Sequence, residues 1–125
     1  MYHGSCHCGT VKYTAKLDLT TLTQCNCSIC RKKGTIHQRI PPEDFELLSG
    51  ENDLTLYQFD SKEAKHLFCK NCGIHSFSHP RFDPSKITIN VRTLDDYEVQ
   101  TAEYKLTTFD GQNWEKAAAT IRNKP

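Results

Sequence analysis

The sequence carries no surplus charge of either sign. Sixteen basic residues against fifteen acidic ones leave a formal net charge of +1, with no long run of one sign, so the charge pattern argues against nucleic acid as a partner. It also has no apolar run near the roughly 18 residues that a membrane span needs. Met1–Ser5 does not show the basic-then-apolar pattern of an export signal. These absences set the expectation of a cytoplasmic protein without a membrane partner, in a reducing compartment where thiols stay free. Internal repeats, low-complexity segments and linkers are missing too, so residues 1–125 are expected to form a single domain. Hydrophobic residues make up only 37% of the chain. That is lean for one core, and metal crosslinks are a way to supply the missing stability.

What the chain does have is seven cysteines, all in three tight groups: Cys6-His7-Cys8, Cys25-Asn26-Cys27-Ser28-Ile29-Cys30 and Cys69-Lys70-Asn71-Cys72. Thiolates so spaced project from one tight turn and can converge on an ion at about 2.3 Å. A disulfide framework fits poorly. The count is odd, and cysteines two residues apart cannot bridge without strain.

The local pattern is mostly strand. Val11, Tyr13 and Ala15 alternate with polar residues, as do Leu54 and Leu56 ahead of Tyr57 and Phe59, and Ile87, Ile89 and Val91. Short strands are also expected over 35–40, through Leu67-Phe68 into Cys69, and over 74–78. Turn signals lie between them at Pro41-Pro42, Ser49-Gly50, His79-Pro80 and Asp83-Pro84. The one helical stretch is Asn113 to Arg122. A mostly β fold of short antiparallel strands with a short C-terminal helix follows. The last residues, 123–125, are expected to fray. Phe45, Phe59, Phe68, Phe77 and Tyr57 are read as core, and Trp114 as packing the C-terminal segment onto the sheets.

Zinc takes four ligands, so seven thiolates divide naturally into one closed site and one open one. The first and third groups are both followed by glycine, Gly9 and Gly73, which permits the backbone conformation of a metal-binding turn. Cys6, Cys8, Cys69 and Cys72 are therefore assigned to a structural zinc that closes a long loop. Cys25, Cys27 and Cys30 are assigned to a second, catalytic zinc whose fourth position is open to water or an outside ligand, giving two Zn²⁺ per chain. Three thiolates weaken the ion as a Lewis acid for making hydroxide and suit it to holding a further thiol as thiolate. A closed Cys₃His staple, with His7, His37, His66, His75 or His79 as the fourth ligand, is the other reading that the residue types leave open.

Three motifs carry a family resemblance. Gly4-Ser5-Cys6-His7-Cys8-Gly9, Cys25-Asn26-Cys27-Ser28-Ile29-Cys30-Arg31-Lys32 and Phe68-Cys69-Lys70-Asn71-Cys72-Gly73 occur in order, with Ser49-Gly50, Leu54 and Tyr57 to Phe59 between them. Over roughly residues 2 to 95 the chain resembles the glutathione-dependent formaldehyde-activating enzymes, grouped with the domain of centromere protein V. That resemblance implies a β-tent fold, with a structural zinc at Cys6, Cys8, Cys69 and Cys72 and a catalytic zinc at Cys25, Cys27 and Cys30. It also implies a carbon–sulfur lyase activity, the reversible addition of formaldehyde to the thiol of glutathione to give S-hydroxymethylglutathione. The C-terminal thirty residues add little to the match.

Several residues around the motifs have two readings. Arg31, Lys32 and Lys33 either receive the carboxylates of glutathione or form a solvated turn, with at least one expected in solvent. His37 and Arg39 share one strand face and line either the site's entrance or a plain surface. His75 is either a proton donor or a packing histidine. His7 alternates away from its neighbours and is expected outside the ligand set. The rival to the enzyme is a non-catalytic, zinc-stabilised binding module in which both zincs are staples.

Overall fold

The computed structural model describes residues 1–122; the fraying expected at 123–125 lies outside the described residues. Two sheets and a short C-terminal helix make up the fold. The smaller sheet has the order β1 (Tyr2–Ser5), β2 (Lys12–Ala15), β5 (Phe45–Ser49). The larger runs β10 (Lys105–Phe109), β3 (Thr21–Cys25), β4 (His37–Ile40), β9 (Ile87–Asn90), β8 (Phe77–His79), β7 (Lys65–Cys69), β6 (Leu54–Tyr57). A one-turn helix, α1 (Cys30–Lys33), follows β3, and α2 (Trp114–Arg122) ends the described chain. No helix among the described residues is long and apolar enough to cross a membrane.

Period-two alternation decides which side of each strand is buried. Val11, Tyr13 and Ala15 are fully buried, as is Ile89, with Ile87 nearly so, while Thr88 and Asn90 face the other way and stay half-exposed. The core lies between the two sheets. Phe77 of β8 sits 4.8 Å from Phe45 of β5, and Tyr13 of β2 is 5.7 Å from Phe45, so three rings join the layers. The Tyr13 hydroxyl donates to the Thr93 hydroxyl at 2.7 Å, which in turn donates to the Asn90 carbonyl at 2.8 Å. The opposite face of the large sheet is free of this core and becomes the floor of a cavity.

Several expectations need correction. The strands are not all antiparallel: β10 pairs with β3 in parallel, Phe109 opposite Cys25. This is possible because the chain crosses both sheets before it returns. The strand expected over 74–78 begins only at Phe77, and Val91 enters a 3₁₀ turn over Val91–Thr93. Tyr57 and Phe59 are not core: they are 49% and 36% exposed, on and just after β6, which is the edge of the sheet among the described residues.

Candidate metal centre and active site

The first and third cysteine groups fold into matching turns. The Cys6 N–H bonds the Val11 carbonyl and the Cys69 N–H bonds the Ile74 carbonyl, both at 3.0 Å. Gly9 and Gly73 follow with φ of 81° and 77°, the left-handed region that glycine enters without strain. The two turns meet across 61 residues of chain: the Cys8 sulfur lies 3.7 Å from that of Cys69 and 3.6 Å from that of Cys6. Cys72 completes the group, with all four sulfurs within 4.8 Å of one another. A tetrahedral zinc at 2.3 Å from each sulfur sets sulfur–sulfur separations of about 3.8 Å. The spacing fits that ion, and all seven cysteines are free thiols.

Cys25 closes β3, Cys27 lies on the turn that follows, and Cys30 opens α1. The Cys27 and Cys30 N–H groups point at the sulfurs of Cys25 and Cys27, at 3.5 and 3.4 Å. The three sulfurs also lie within 4.8 Å of one another, and among the described residues no histidine, aspartate or glutamate joins the group. Bare thiols this close cannot all ionise. Hydrogen bonding from Cys25 holds the Cys27 thiol well below its ordinary range, while the same crowding pushes Cys25 and Cys30 up. A cation between the sulfurs removes that conflict, so this donor set fits a metal as well.

The C-terminal segment braces this turn. The Asn26 N–H donates to the Phe109 carbonyl at 3.2 Å, and the Asn26 side chain donates to Asp110 at 3.0 Å and accepts from the Gln112 N–H at 3.0 Å. Gly111 presses directly on the thiols: a Cβ there would stand 2.5 Å from the Cys27 Cβ and 2.7 Å from the Cys25 sulfur. Residues 105–113, which carry no motif, thus form one wall of the site. Their polar strand sequence, Lys105-Leu106-Thr107-Thr108-Phe109, gave little signal.

The three thiols open into a cavity of about 640 Å³ floored by the large sheet. Arg31 and Lys33 line it, whereas Lys32 is exposed outside the lining, the solvated member of the basic run. His37 and Arg39 line it also, which resolves their two readings in favour of the site. His66, which residue type offers as a fourth zinc ligand, lines the wall instead, together with Arg81, Phe82 and Trp114, which lie outside the motifs. Trp114 packs against the Arg81 guanidinium, 3.7 Å from the ring centre, so it walls the cavity as well as anchoring α2. Phe59 stacks on His66 at 5.7 Å. His75 lies behind the floor against Phe68 at 5.2 Å and does not line the large cavity, so the packing reading holds for it. His7 is exposed, as its alternation implied.

Burial shapes the charges here. It lowers the Lys33 ammonium and the Arg39 guanidinium below their usual ranges, and it pushes His37 and His66 down to about 4, so both rings are neutral at pH 7. Among the described residues, the lining sets Arg31, Lys33, Arg39 and Arg81 against one carboxylate, Asp60. The cavity therefore favours an anionic guest.

A family model described as glutathione-dependent formaldehyde-activating enzyme matches residues 1–111. Among solved structures, a protein of Rhodobacter sphaeroides is 34% identical, with a TM-score of 0.77 over 84% of this chain and 99% of that one.

Proposed function

We propose, from the premise that this chain belongs to the glutathione-dependent formaldehyde-activating enzyme family, that it makes and breaks a carbon–sulfur bond on a small thiol, with glutathione and formaldehyde as the pair. In this reading Cys6, Cys8, Cys69 and Cys72 hold a structural zinc, and Cys25, Cys27 and Cys30 hold a catalytic one. The observation that carries it is the contrast between the groups: four sulfurs in one, and in the other three, with no further protein ligand among the described residues and a cavity on the open side. A binding module with two closed staples would need a fourth ligand that the second group lacks. Zinc held by three thiolates supplies an open position at which a thiol is stable as thiolate at neutral pH.

The residues around it then have defined work. The thiol proton leaves sulfur, the sulfur bonds the carbonyl carbon of formaldehyde, and the carbonyl electron pair becomes an alkoxide that must take up a proton. Lys33 lines the cavity, and its ammonium feels all three thiols. We assign it the proton: Nζ gives one to the alkoxide and regains one from the incoming thiol, so the cycle is neutral. In reverse, Nζ takes the hydroxyl proton as the carbon–sulfur bond breaks. His37 and His66, neutral and buried, exclude water from the floor without adding a competing proton source.

X-ray absorption at the zinc edge tests this on reduced, zinc-loaded protein. The reading expects two zincs per chain and a mean of three and a half sulfurs per zinc, rising toward four when glutathione is added. A mean that glutathione does not move, with a nitrogen ligand on one ion, would sink it.

A further inference from the structure

Two of the three arginines that line the cavity lie over aromatic rings: Arg81 over Trp114 at 3.7 Å and Arg39 over Phe82 at 4.2 Å. Their surroundings differ in charge. Arg81 has Glu115 at 3.3 Å and Glu63 at 3.9 Å, whereas Arg39 has no ion pair and no hydrogen bond among the described residues. A half-buried guanidinium without a counter-ion is costly, and ring stacking offsets only part of that cost.

Strand register puts hydroxyls beside it. Arg39 of β4 pairs with Thr88 of β9, Thr88 with Ser78 of β8, and Ser78 with His66 of β7, so the four form one row straight across the cavity floor. Neither the Thr88 nor the Ser78 hydroxyl makes a hydrogen bond among the described residues. Adjacent strands lie about 4.8 Å apart, so a guanidinium on β4 and two hydroxyl donors lie within the span of a small organic acid. Lys33 is left to the thiol end of the cavity, where the proposed mechanism uses its proton.

We propose that Arg39, with the Thr88 and Ser78 hydroxyls, forms an anion subsite that takes a carboxylate of the thiol compound bound at Cys25, Cys27 and Cys30. This rests on the thiol reading for the other end of the ligand, and it moves carboxylate recognition from the basic run after Cys30 to the sheet floor. Arginine suits the role because its planar fork meets a carboxylate with two parallel hydrogen bonds. The subsite makes the enzyme selective for acidic thiols over neutral ones of equal reactivity.

Calorimetric titration of the zinc-loaded protein separates the two claims. The ligands are glutathione, S-methylglutathione, which keeps the carboxylates and blocks the sulfur, and glutathione diethyl ester, which keeps the thiol and masks the carboxylates. The ester is expected to bind at least ~10-fold more weakly than glutathione. Arg39→Gln should weaken glutathione and S-methylglutathione by at least ~10-fold, leave the ester unchanged and so erase the preference, while Arg39→Lys recovers part of it. If Arg39→Gln misfolds by circular dichroism, Thr88→Val combined with Ser78→Ala carries the test, with a several-fold loss expected for the same two ligands. Unchanged affinity for both carboxylate ligands, or no binding of either to the wild type, overturns the subsite. Equal binding of glutathione and S-methylglutathione, both weakened by Arg39→Gln, would keep the subsite and remove the thiol–metal reading instead.

Discussion

A Cβ placed on Gly111 would stand 2.7 Å from the sulfur of Cys25. No side chain fits there unless the thiols move. Gly111→Ala is therefore expected to lower zinc from two ions per chain toward one while the far-ultraviolet dichroism stays unchanged, since the four-cysteine group lies elsewhere. Retention of both ions, measured by plasma emission on reduced protein, would show that the turn can shift and that this contact does not set the geometry.

The two cysteine groups should separate in mutagenesis. Cys69 is fully buried where the two matching turns meet. Cys69→Ser is expected to lower the melting temperature by more than ~10 °C, because metal affinity in a site that ties distant segments is folding free energy. Cys27→Ser, on a half-exposed turn, should shift melting by only a few degrees and abolish exchange between glutathione and its formaldehyde adduct, followed by NMR magnetisation transfer.

Lys33→Met should reduce that exchange rate by about 10²- to 10⁴-fold, the usual range for a lost proton donor, with zinc content unchanged. Lys33→Arg keeps the charge but holds its proton too tightly to give it up. It should therefore leave the rate as low as Lys33→Met does, with ligand binding unchanged in both. A Lys33→Met rate within a factor of three of wild type would assign the proton to solvent.

His37 sets part of the acid limit of the fold. Burial holds its pKa at about 4, against 6.5 for a free histidine, with the Arg39 and Lys33 charges adding to the effect. Between those values the unfolded chain binds a proton that the folded chain does not. Stability is therefore full above about pH 6.5 and falls as pH drops toward 4, by on the order of 1.4 kcal/mol per pH unit for this ring. Urea denaturation of wild type and His37→Gln at fixed zinc should give a shallower slope for the variant over that window. His66 shifts in the same direction, so part of the slope should remain.

The cysteine turns were legible because they are local. Cys6 to Gly9 and Cys69 to Gly73 show their geometry within a few residues, and the strands with clean alternation, such as Ile87 to Asn90, announced their buried face. What stayed hidden depends on partners distant in sequence. Thr21 to Cys25 contains one buried apolar residue, Leu22, and β10 reads as a polar loop until the two strands pair in parallel over more than eighty residues of separation. Tyr57 and Phe59 looked like core because aromatic residues usually are, and only the strand order showed β6 to be an edge. The row of Arg39, Thr88, Ser78 and His66 is a property of register, which no single segment contains.

The parallel pairing of β3 with β10 also sets an order of assembly during synthesis. A chain leaves the ribosome amino end first, and every thiol of the four-cysteine group is outside once residue 72 has emerged. The wall over Cys25, Cys27 and Cys30 waits for Phe109 and Gly111. The nascent chain thus holds all four thiols of the first group well before the wall over the other three can form.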